Sequence, residues 1–449
     1  MIPMTVSEIA TLLGGEIISD NRVVTGVSTD SRAVSETEVF VALVGERFDA
    51  HDFLKNIKCA VAVCEKKVSG LSFPQIIVKS SLEALGKIAS YSARKANLKL
   101  RVGLTGSVGK TTTKEMCALV LQNNFRTRKT EGNFNNHIGV PKTLLSVTNE
   151  DECLVCEMGM SHSGEISYLA SLVELDVAII TNIGNSHIEN LKTRENIALA
   201  KLEIVEGLKP DGTLILNGDE PLLENINIAQ NKLYVGFSGK CQVRAESVVT
   251  SESGVEFVCH AFDKKVNVRL PLPGRHNVYN ALFAIALGCV SGIRPEVAAL
   301  SLEDYTPVGM RQKIYQKDET LVIADCYNAG VESMCASLEA LKDMKGERHS
   351  IAVLGDMLEL GEMSEEFHRK VGKKAAECGI DTVLTFGNFS RFISEEACAN
   401  VHDTYHFATR QECANKLLEY KKCAPIVLFK ASHSMKCEEI IELCGLLEN

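Results

Sequence analysis

The sequence has no cluster of basic residues, and its formal net charge is −10 over 449 residues. Proteins that bind the phosphates of nucleic acids present a basic face, so we expect no nucleic-acid partner. No stretch of about 18 apolar residues is present, so we also expect no membrane-spanning helix. Residues 1–5 lack a basic segment followed by an apolar core, and we therefore expect no secretory signal peptide.

The sequence also lacks a cysteine framework, although it contains 16 cysteines. Cys153 and Cys156 form one C-x-x-C pair, but this pair lies within an apolar strand pattern and has no second pair at zinc-binding spacing. We therefore expect both side chains to be packed in a core. Scattered cysteines without a secretory signal indicate reduced thiols in the cytoplasm.

The sequence contains neither a long internal repeat nor a low-complexity linker. Its 449 residues are too many for a single hydrophobic core, so we expect several domains. The apolar fraction of 45% and the charged fraction of 24% are typical of globular domains. Strand and helix patterns alternate and break at short connections, which predicts domains over residues 1–97, 98–306 and 307–449. We expect an α/β protein with a small N-terminal α/β domain, a central domain built on a mostly parallel sheet, and a C-terminal Rossmann-like domain.

Particular segments carry more specific predictions. The residue pattern predicts one strand over residues 23–28 and an antiparallel appendage of short strands over residues 231–270. The C-terminal segment has no G-x-G-x-x-G motif after its first strand, so we expect no dinucleotide there.

The stretch from residue 101 to 112 is an apolar strand pattern, a glycine-rich bend and a helix start. Backbone N–H groups in such a loop bind phosphate oxygens, and the helix N-terminus adds partial positive charge. We expect Lys110 to contact the β- and γ-phosphates of ATP and the Thr111 hydroxyl to bind Mg²⁺. Leu104 stands where the general motif has glycine, and the alternative is a glycine-rich turn with a surface lysine. The predicted nucleotide-binding residues are Thr105, Gly106, Ser107, Val108, Gly109, Lys110, Thr111 and Thr112.

Later strands of the central segment end in side chains that can face this loop. Glu157 ends one apolar strand, and His187 follows the next buried strand. Ligands of open α/β sheets bind beyond the carboxyl ends of the strands, so we expect Lys110, Thr111, Glu157 and His187 to converge on one crevice. The alternatives are an ordinary ion pair at Glu157 and a packed or capping histidine at His187.

These residues together resemble the Mur ligase family, and within it the MurF branch. The resemblance covers the whole chain, and the phosphate loop and Lys201 are shared by other Mur ligases. The matching segments are Asp30-Ser31-Arg32, Thr105 to Thr112, Gly132-Asn133-Phe134-Asn135-Asn136, Glu157-Met158-Gly159, Thr181 to Gly184 with His187, Ala200-Lys201, His276-Asn277 with Asn280, Tyr327-Asn328-Ala329, and Val353 to Met357.

The resemblance implies an ATP-dependent, ADP-forming amide ligase of cytoplasmic peptidoglycan precursor synthesis. The first domain would bind UDP-N-acetylmuramoyl-tripeptide, the middle domain ATP, and the last domain D-alanyl-D-alanine. The tripeptide carboxylate would become an acyl phosphate, which the dipeptide amine attacks. We expect a monomer whose partners are these small molecules.

The resemblance also implies residue roles. A second Mg²⁺ would lie between Glu157 and His187, with Lys201 carbamylated by CO₂ as a further metal ligand. Without the family, Lys201 would be read as a solvated helix lysine. The implied nucleotide contacts are His276, Asn277 and Asn280 at the base and ribose, with Arg311 and Asp325 reaching ATP after domain closure. The expected substrate contacts are Ser31, Arg32, Asn133, Asn135, Asn136, Tyr327 and Asn328.

The chain departs from the usual MurF pattern at Ala324, Gly330, Val331 and His433. These positions belong to the segment expected to bind the acceptor, so the acceptor is left open between D-alanyl-D-alanine and another D-Ala-D-X dipeptide. A non-catalytic nucleotide-binding protein is the third alternative. The third residue of the tripeptide, lysine or diaminopimelate, is also left open.

Overall fold

Four sheets with helices on their faces make up the structure, a computed structural model that describes residues 1–15 and 19–448. The predicted α/β class is confirmed, and the two largest sheets are mostly parallel. No helix in this part of the chain is long and apolar enough to cross a membrane.

Within the described residues, the N-terminal part contains a short ribbon, a small parallel sheet, two α-helices and a 3-10 helix (Ala50–Asn56). Its elements are β1 (Met4–Thr5), α1 (Val6–Leu13), β2 (Val23–Val24), β3 (Gly26–Ser28), β4 (Glu38–Val41), β5 (Val61–Cys64), β6 (Gln75–Ile77) and α2 (Ser81–Lys95). β1 and β2 pair antiparallel, whereas β3 to β6 form a parallel sheet in chain order. The prediction of one strand over residues 23–28 was wrong, because the chain changes partner at Thr25. Local residue preferences indicate an extended segment but do not specify which neighbour it pairs with.

The middle part is built on a nine-stranded sheet. Its elements are β7 (Leu100–Thr105), α3 (Lys110–Leu121), β8 (Thr127–Lys129), α4 (Gly139–Leu145), β9 (Cys153–Glu157), α5 (Glu165–Val173), β10 (Leu175–Ile180), α6 (Ile188–Leu191), α7 (Arg194–Leu202), β11 (Leu208–Asn217), β12 (Asn231–Gly236), β13 (Val243–Ser251), β14 (Gly254–Ala261), β15 (Lys264–Leu270), α8 (Arg275–Val290) and α9 (Pro295–Leu302). The strand order is β15-β14-β13-β12-β11-β10-β7-β9-β8. The predicted appendage over residues 231–270 is instead part of this sheet. β12 and β13 continue its parallel pairing, and β14 pairs antiparallel with both β13 and β15.

The C-terminal part is a six-stranded sheet with the order β16-β17-β21-β18-β19-β20. Its elements are β16 (Lys313–Lys317), β17 (Thr320–Ala324), α10 (Val331–Met344), β18 (Ser350–Gly355), α11 (Ser364–Glu377), β19 (Thr382–Phe386), α12 (Arg391–Ala397), β20 (Asp403–Phe407), α13 (Arg410–Glu419), β21 (Ile426–Lys430) and α14 (Glu438–Leu443). β16 is antiparallel to β17, and the other neighbours are parallel.

Helix α8 packs on the middle sheet and against α3. Its sequence is apolar on nearly every side, and such a helix has to be buried. Leu282 and its neighbours accordingly have no solvent exposure. A Cβ at Gly288 would lie 2.8 Å from the Val120 side chain, so this glycine permits the close approach of α8 to α3. The helix that follows the phosphate loop is thereby held against the core.

All 16 cysteines are free thiols in the described structure. Cys153 and Cys156 on β9 are fully buried, and burial raises the pKa of both thiols to about 12. Thiols with raised pKa values are poor nucleophiles at neutral pH. Cys398 and Cys423, both in the C-terminal part, are exposed.

We predict that Leu282→Ala lowers the free energy of unfolding by about 2–5 kcal/mol, because it leaves a cavity under α8. The matched control is Leu300→Ala on α9, where the side chain is 65% exposed and the cost should stay within about 0.5 kcal/mol. Thermal unfolding of both variants measures the difference. Equal midpoints would contradict the packing role of α8.

Candidate active site

A cavity of about 1030 Å³ lies between the strand-end loops of the middle part and the loops of the C-terminal part. β7 lies between β10 and β9, and all three are parallel, so the loops that follow them meet at one edge of the sheet. Of the residues predicted from the sequence, the wall includes Ser107, Val108, Gly109, Lys110, Thr111, Thr112, Asn135, Asn136, Glu157, His187, His276, Asn277, Asn280, Arg311, Asp325, Tyr327 and Asn328.

Other predicted substrate contacts lie outside this wall. Ser31 and Arg32 occupy the turn between β3 and β4, where the exposed Arg32 side chain forms an ion pair of 2.7 Å with Asp30. Asn133 is exposed in the loop before α4. The structure therefore does not bring these three residues to the cavity.

The phosphate loop connects β7 to α3, and two of its glycines lie against neighbouring side chains. Gly109 has φ of +81° and precedes α3, and a Cβ there would lie 2.7 Å from Asn280 Oδ1. A Cβ at Gly106 would lie 1.8 Å from Thr181 Oγ1. The Lys110 ammonium donates to the Gly106 carbonyl at 2.7 Å and so lies across the loop. Burial lowers the pKa of Lys110, and the nearby Glu157 carboxylate partly offsets this effect.

The loop after β10 holds the phosphate loop in place through hydrogen bonds. The Thr181 N–H donates to the Thr105 carbonyl at 3.0 Å, and the Ser107 N–H donates to the Asn182 carbonyl at 3.2 Å. The Asn182 side chain accepts from the Val108 N–H and donates to the Val108 carbonyl, both at 3.0 Å. The conformation of the phosphate loop therefore depends on a segment that is distant in sequence.

Glu157 ends β9 with a side chain that is only 2% exposed. Its Oε2 accepts from the Thr111 hydroxyl and its Oε1 from the Asn135 amide, both at 2.9 Å. The Glu157 N–H donates to the Thr130 hydroxyl at 3.0 Å. Carboxylate and hydroxyl oxygens placed together are the donors that Mg²⁺ prefers.

Lys114 is a buried cation behind Glu157 that sequence analysis did not identify. Its ammonium donates to the Thr130 carbonyl at 2.7 Å, forms an ion pair of 3.0 Å with Glu115, and lies 3.9 Å from Glu157 Oε2. The spacing of three residues from Thr111 indicates the same face of α3. That signal was in the sequence, but it does not distinguish a buried lysine from a solvated one.

His187 begins the short helix α6 in a left-handed conformation, with φ of +64°. Its Nδ1 lies 2.9 Å from Oε2 of Glu359 in the C-terminal part, and this contact lowers the pKa of Glu359. Across residues 1–15 and 19–448, no group of three or more His, Cys, Asp and Glu side chains is arranged to hold a metal ion. Glu157 and His187 would need further ligands to bind one.

Lys201 lies near the end of α7 with a side chain that is 1% exposed. Its ammonium has no hydrogen-bond or ion-pair partner among the described residues. Burial lowers the pKa of Lys201 well below its usual range, and the positive charge of Lys110 lowers it further. The side chain is therefore neither solvated nor compensated by an anion.

A chain of amide side chains leads from α3 to the C-terminal part. The Thr113 hydroxyl donates to Asn280 Oδ1 at 3.0 Å, the Asn280 amide donates to Asn277 Oδ1 at 3.0 Å, and the Asn277 amide donates to Gln312 Oε1 at 2.7 Å. Nε2 of His276 lies 3.3 Å from the same Gln312 oxygen, and burial lowers the pKa of His276. The predicted nucleotide residues are thus joined through Gln312, which sequence analysis did not identify.

Asp325 continues this network within the C-terminal part. Its Oδ1 accepts from the Gln312 N–H at 3.2 Å, and its Oδ2 accepts from the Ser337 hydroxyl at 2.9 Å and the Lys430 ammonium at 2.5 Å. Lys430 is 2% exposed and also donates to the Asn328 carbonyl at 3.2 Å. Both oxygens of Asp325 are therefore occupied, and its carboxylate orients Lys430 at the cavity wall.

Arg311 presents a guanidinium to the cavity from the C-terminal part. The guanidinium carbon lies 3.5 Å from the centre of the Tyr327 ring, a cation–π contact. The ring of His433 lies 5.5 Å from that of Tyr327. Arg311 has no anionic partner in the described residues, so its charge can attract an anion in the cavity.

The four residues that depart from the MurF pattern lie in different environments of the C-terminal part. Gly330 lies in the cavity wall and precedes α10, whereas Ala324 and Val331 are buried in the domain. The exposed His433 lies beside Tyr327 and does not belong to the cavity wall. Gly330 is therefore the departure placed to contact a ligand directly.

Comparisons with known proteins agree with this arrangement. A family model for the Mur ligase middle domain matches residues 104–288, and one described as the Mur ligase, glutamate ligase domain, matches residues 310–433. A UDP-N-acetylmuramoyl-tripeptide–D-alanyl-D-alanine ligase of Bacillus subtilis (strain 168) is 40% identical over 453 residues, which covers 98% of each chain. The chain belongs to the Mur ligase family.

Solved structures extend the match to the whole Mur ligase fold. A crystal structure of MurF from Acinetobacter baumannii has a TM-score of 0.91 and 31% identity, with 98% of each chain covered. The MurF ligase from Thermotoga maritima, solved in complex with ADP, has a TM-score of 0.85 and 29% identity, and the match covers 93% of this chain and 96% of that one. The three-domain α/β architecture of this Mur ligase is therefore that of the MurF structures.

We predict that Lys114→Met lowers the free energy of unfolding by about 3 kcal/mol or more, because Glu115 and Glu157 then lose a buried cation. The matched control is Lys264→Met on β15, where the lysine is exposed and the change should be close to neutral. Thermal unfolding compares the two variants. A Lys114→Met protein as stable as the control would show that Lys114 does not compensate the carboxylates.

Proposed function

We propose that this Mur ligase uses ATP to join D-alanyl-D-alanine to UDP-N-acetylmuramoyl-tripeptide, with release of ADP and phosphate, in peptidoglycan precursor synthesis. The observation that carries the proposal is the contact of the Thr111 hydroxyl with the Glu157 carboxylate beside Lys110. A magnesium–nucleotide site needs these groups together. The name of the Bacillus subtilis relative and the ADP complex of the Thermotoga maritima MurF support the same activity.

The chemistry requires concentrated positive charge. The substrate carboxylate is anionic and must approach an anionic γ-phosphate, so the site has to neutralise the charge at the point of transfer. Lys110 supplies one cation, the N-terminus of α3 adds partial charge, and Arg311 supplies a cation from the opposite wall. Transfer forms an acyl phosphate and ADP. The dipeptide amine then attacks the acyl carbon, and phosphate leaves.

The donor groups at the site fit Mg²⁺. We assign Thr111 to one ion, and Glu157, His187 and a modified Lys201 to a second. When bound, Mg²⁺ supplies charge neutralisation at the phosphates and the substrate carboxylate. To bind Mg²⁺, His187 has to lose its contact with Glu359. This assignment therefore requires a rearrangement between the two domains.

The surroundings of Lys201 support a carbamate at this side chain. A buried ammonium without an anionic partner is unfavourable, and burial together with Lys110 favours the neutral amine. A neutral amine is the form that reacts with CO₂. The resulting carbamate carries negative charge, which Lys110 would compensate, and offers the oxygen donors that Mg²⁺ prefers.

The remaining assignments concern the other substrates and the setting. We assign Ser31 and Arg32 to the UDP end of the sugar precursor, the loop of Asn133, Asn135 and Asn136 to its peptide, and Tyr327 and Asn328 to the acceptor. The unpaired thiols support a reducing cytoplasm. We also propose that the protein acts as a monomer.

The activity is tested by phosphate release with UDP-N-acetylmuramoyl-tripeptide and a panel of acceptors that includes D-alanyl-D-alanine, D-alanyl-D-serine and a depsipeptide. We expect D-alanyl-D-alanine to be preferred. Preference for another acceptor would reassign the last domain to a related dipeptide. Nucleotide binding without phosphate release for any acceptor would identify a protein that has lost ligation.

We predict that Lys110→Ala lowers kcat by about 10²–10³-fold, because a cation at the transferring phosphate is lost. The control is Lys87→Ala, at an exposed lysine on α2, which should keep the wild-type rate. Both variants should unfold at the wild-type temperature. Near-normal turnover by Lys110→Ala would remove the phosphate loop from the mechanism.

We predict that activity falls in CO₂-depleted buffer and returns with bicarbonate. Lys201→Ala should be inactive, with partial rescue by acetate, and Lys201→Arg should be inactive at every bicarbonate concentration. Incubation with ¹³C-bicarbonate should give a carbamate signal in the NMR spectrum of the wild type and none in Lys201→Arg. Full activity without CO₂ would show that Lys201 acts as an unmodified amine.

A further inference from the structure

The N-terminus of α10 carries a carboxylate that the proposed mechanism does not use. Glu332 lies in the cavity wall, and its Oε1 accepts from both the backbone N–H and the side-chain amide of Asn185, at 3.0 and 2.5 Å. Its Oε2 is shielded from water and has no hydrogen-bond partner among the described residues. A buried carboxylate oxygen of this kind lacks a donor.

The position of Oε2 explains how it is shielded. A Cβ at Gly184 would lie 2.8 Å from Glu332 Oε2, so the loop after β10 lies directly against the carboxylate. The terminal torsion of a glutamate side chain is soft. A small rotation of the carboxylate turns Oε2 toward the cavity, where a ligand can supply the missing donor.

An unpaired cation also lines this cavity. Lys370 on α11 is exposed at the wall and has no hydrogen-bond or ion-pair partner in the described part of the chain. α10 packs against α11. Burial raises the pKa of Cys335, three residues beyond Glu332 on α10, and the Lys370 ammonium partly offsets this effect.

We propose that Glu332 and Lys370 form the subsite that orients the incoming dipeptide, with Glu332 receiving its ammonium group and Lys370 its carboxylate. This inference rests on the proposed ligase function. An extended dipeptide spans about 7 Å between its charged ends, so its ammonium and carboxylate can contact side chains of two neighbouring helices. Glu332 contacts Asn185 in the loop that holds the phosphate loop, so the amine would be placed beside the point of phosphoryl transfer.

The opposite charges of Glu332 and Lys370 determine the orientation of the bound dipeptide. With the amine at Glu332, the carboxylate points away from the phosphate loop toward α11. An anionic group at the carboxyl end is thereby kept apart from the phosphates of ATP.

The first test uses the full-length protein and steady-state phosphate release. Glu332→Gln keeps an oxygen for Asn185 but removes the charge, and Lys370→Met removes the cation. Each variant should raise KM for D-alanyl-D-alanine by about tenfold or more while KM for ATP stays within about twofold. The matched controls are Glu366→Gln and Lys373→Met, exposed positions on α11 outside the cavity wall.

The second test changes the ligand. In the wild type, D-alanyl-D-alaninamide should be a poorer acceptor than D-alanyl-D-alanine by about tenfold or more, and Lys370→Met should abolish this discrimination. For the wild type, the inhibition constant of N-acetyl-D-alanyl-D-alanine should be much higher than the KM of the unmodified dipeptide. In Glu332→Gln, this inhibition constant and the KM of the unmodified dipeptide should become similar.

The outcomes separate this inference from the proposed function. If the wild type ligates D-alanyl-D-alanine but Glu332→Gln and Lys370→Met leave its KM unchanged, the subsite is wrong and the ligase function stands. A parallel rise in KM for ATP and for the acceptor would assign Glu332 to domain contact through Asn185 and would overturn the specificity role. Absence of turnover by the wild type with any acceptor would overturn the proposed function itself.

Discussion

Parallel pairing of β7 with its neighbours β10 and β9 is the constraint on which the site depends. The register places Thr105 opposite Ile180 and Leu104 opposite Glu157. Main-chain hydrogen bonds therefore bring the phosphate loop, the Glu157 carboxylate and the loop after β10 to one edge before any side chain contributes. The contact of Thr111 with Glu157 is a consequence of this register. A slip in strand pairing would disassemble the site even with every residue present.

Local patterns in the sequence predicted the α/β class and the strand–loop–helix around Lys110, because each depends on neighbouring residues. The strand ends also placed Glu157, since parallel sheets collect such ends at one edge. Lys114 was missed because a lysine on a helix is usually solvated, and only the pairing with Glu115 and Glu157 permits its burial. Gln312 was missed because its partners Asn277 and Asp325 come from different domains.

The boundary between the middle and C-terminal domains combines apolar packing with polar contacts. Carboxylates of the C-terminal domain contact the loop after β10 at Asn185 and at His187. Polar contacts of this kind can be exchanged when domains move, because water can replace the lost hydrogen bonds. The same loop thus has two sets of partners, the phosphate loop within its own domain and the carboxylates of the next. Ligand binding at the phosphate loop would therefore alter the contacts of the loop after β10 with the carboxylates of the C-terminal domain, and the reverse.

The distribution of exposed thiols has a practical consequence. Most of the cysteines are buried with raised pKa values, whereas Cys398 and Cys423 are exposed in the C-terminal domain. A thiol-reactive fluorophore would therefore modify this domain in the native protein, without engineered cysteines. Energy transfer from such a dye to a fluorescent ATP analogue on the phosphate loop would follow the distance between the two domains in solution. The unmodified chain thus contains its own attachment points for observing domain closure.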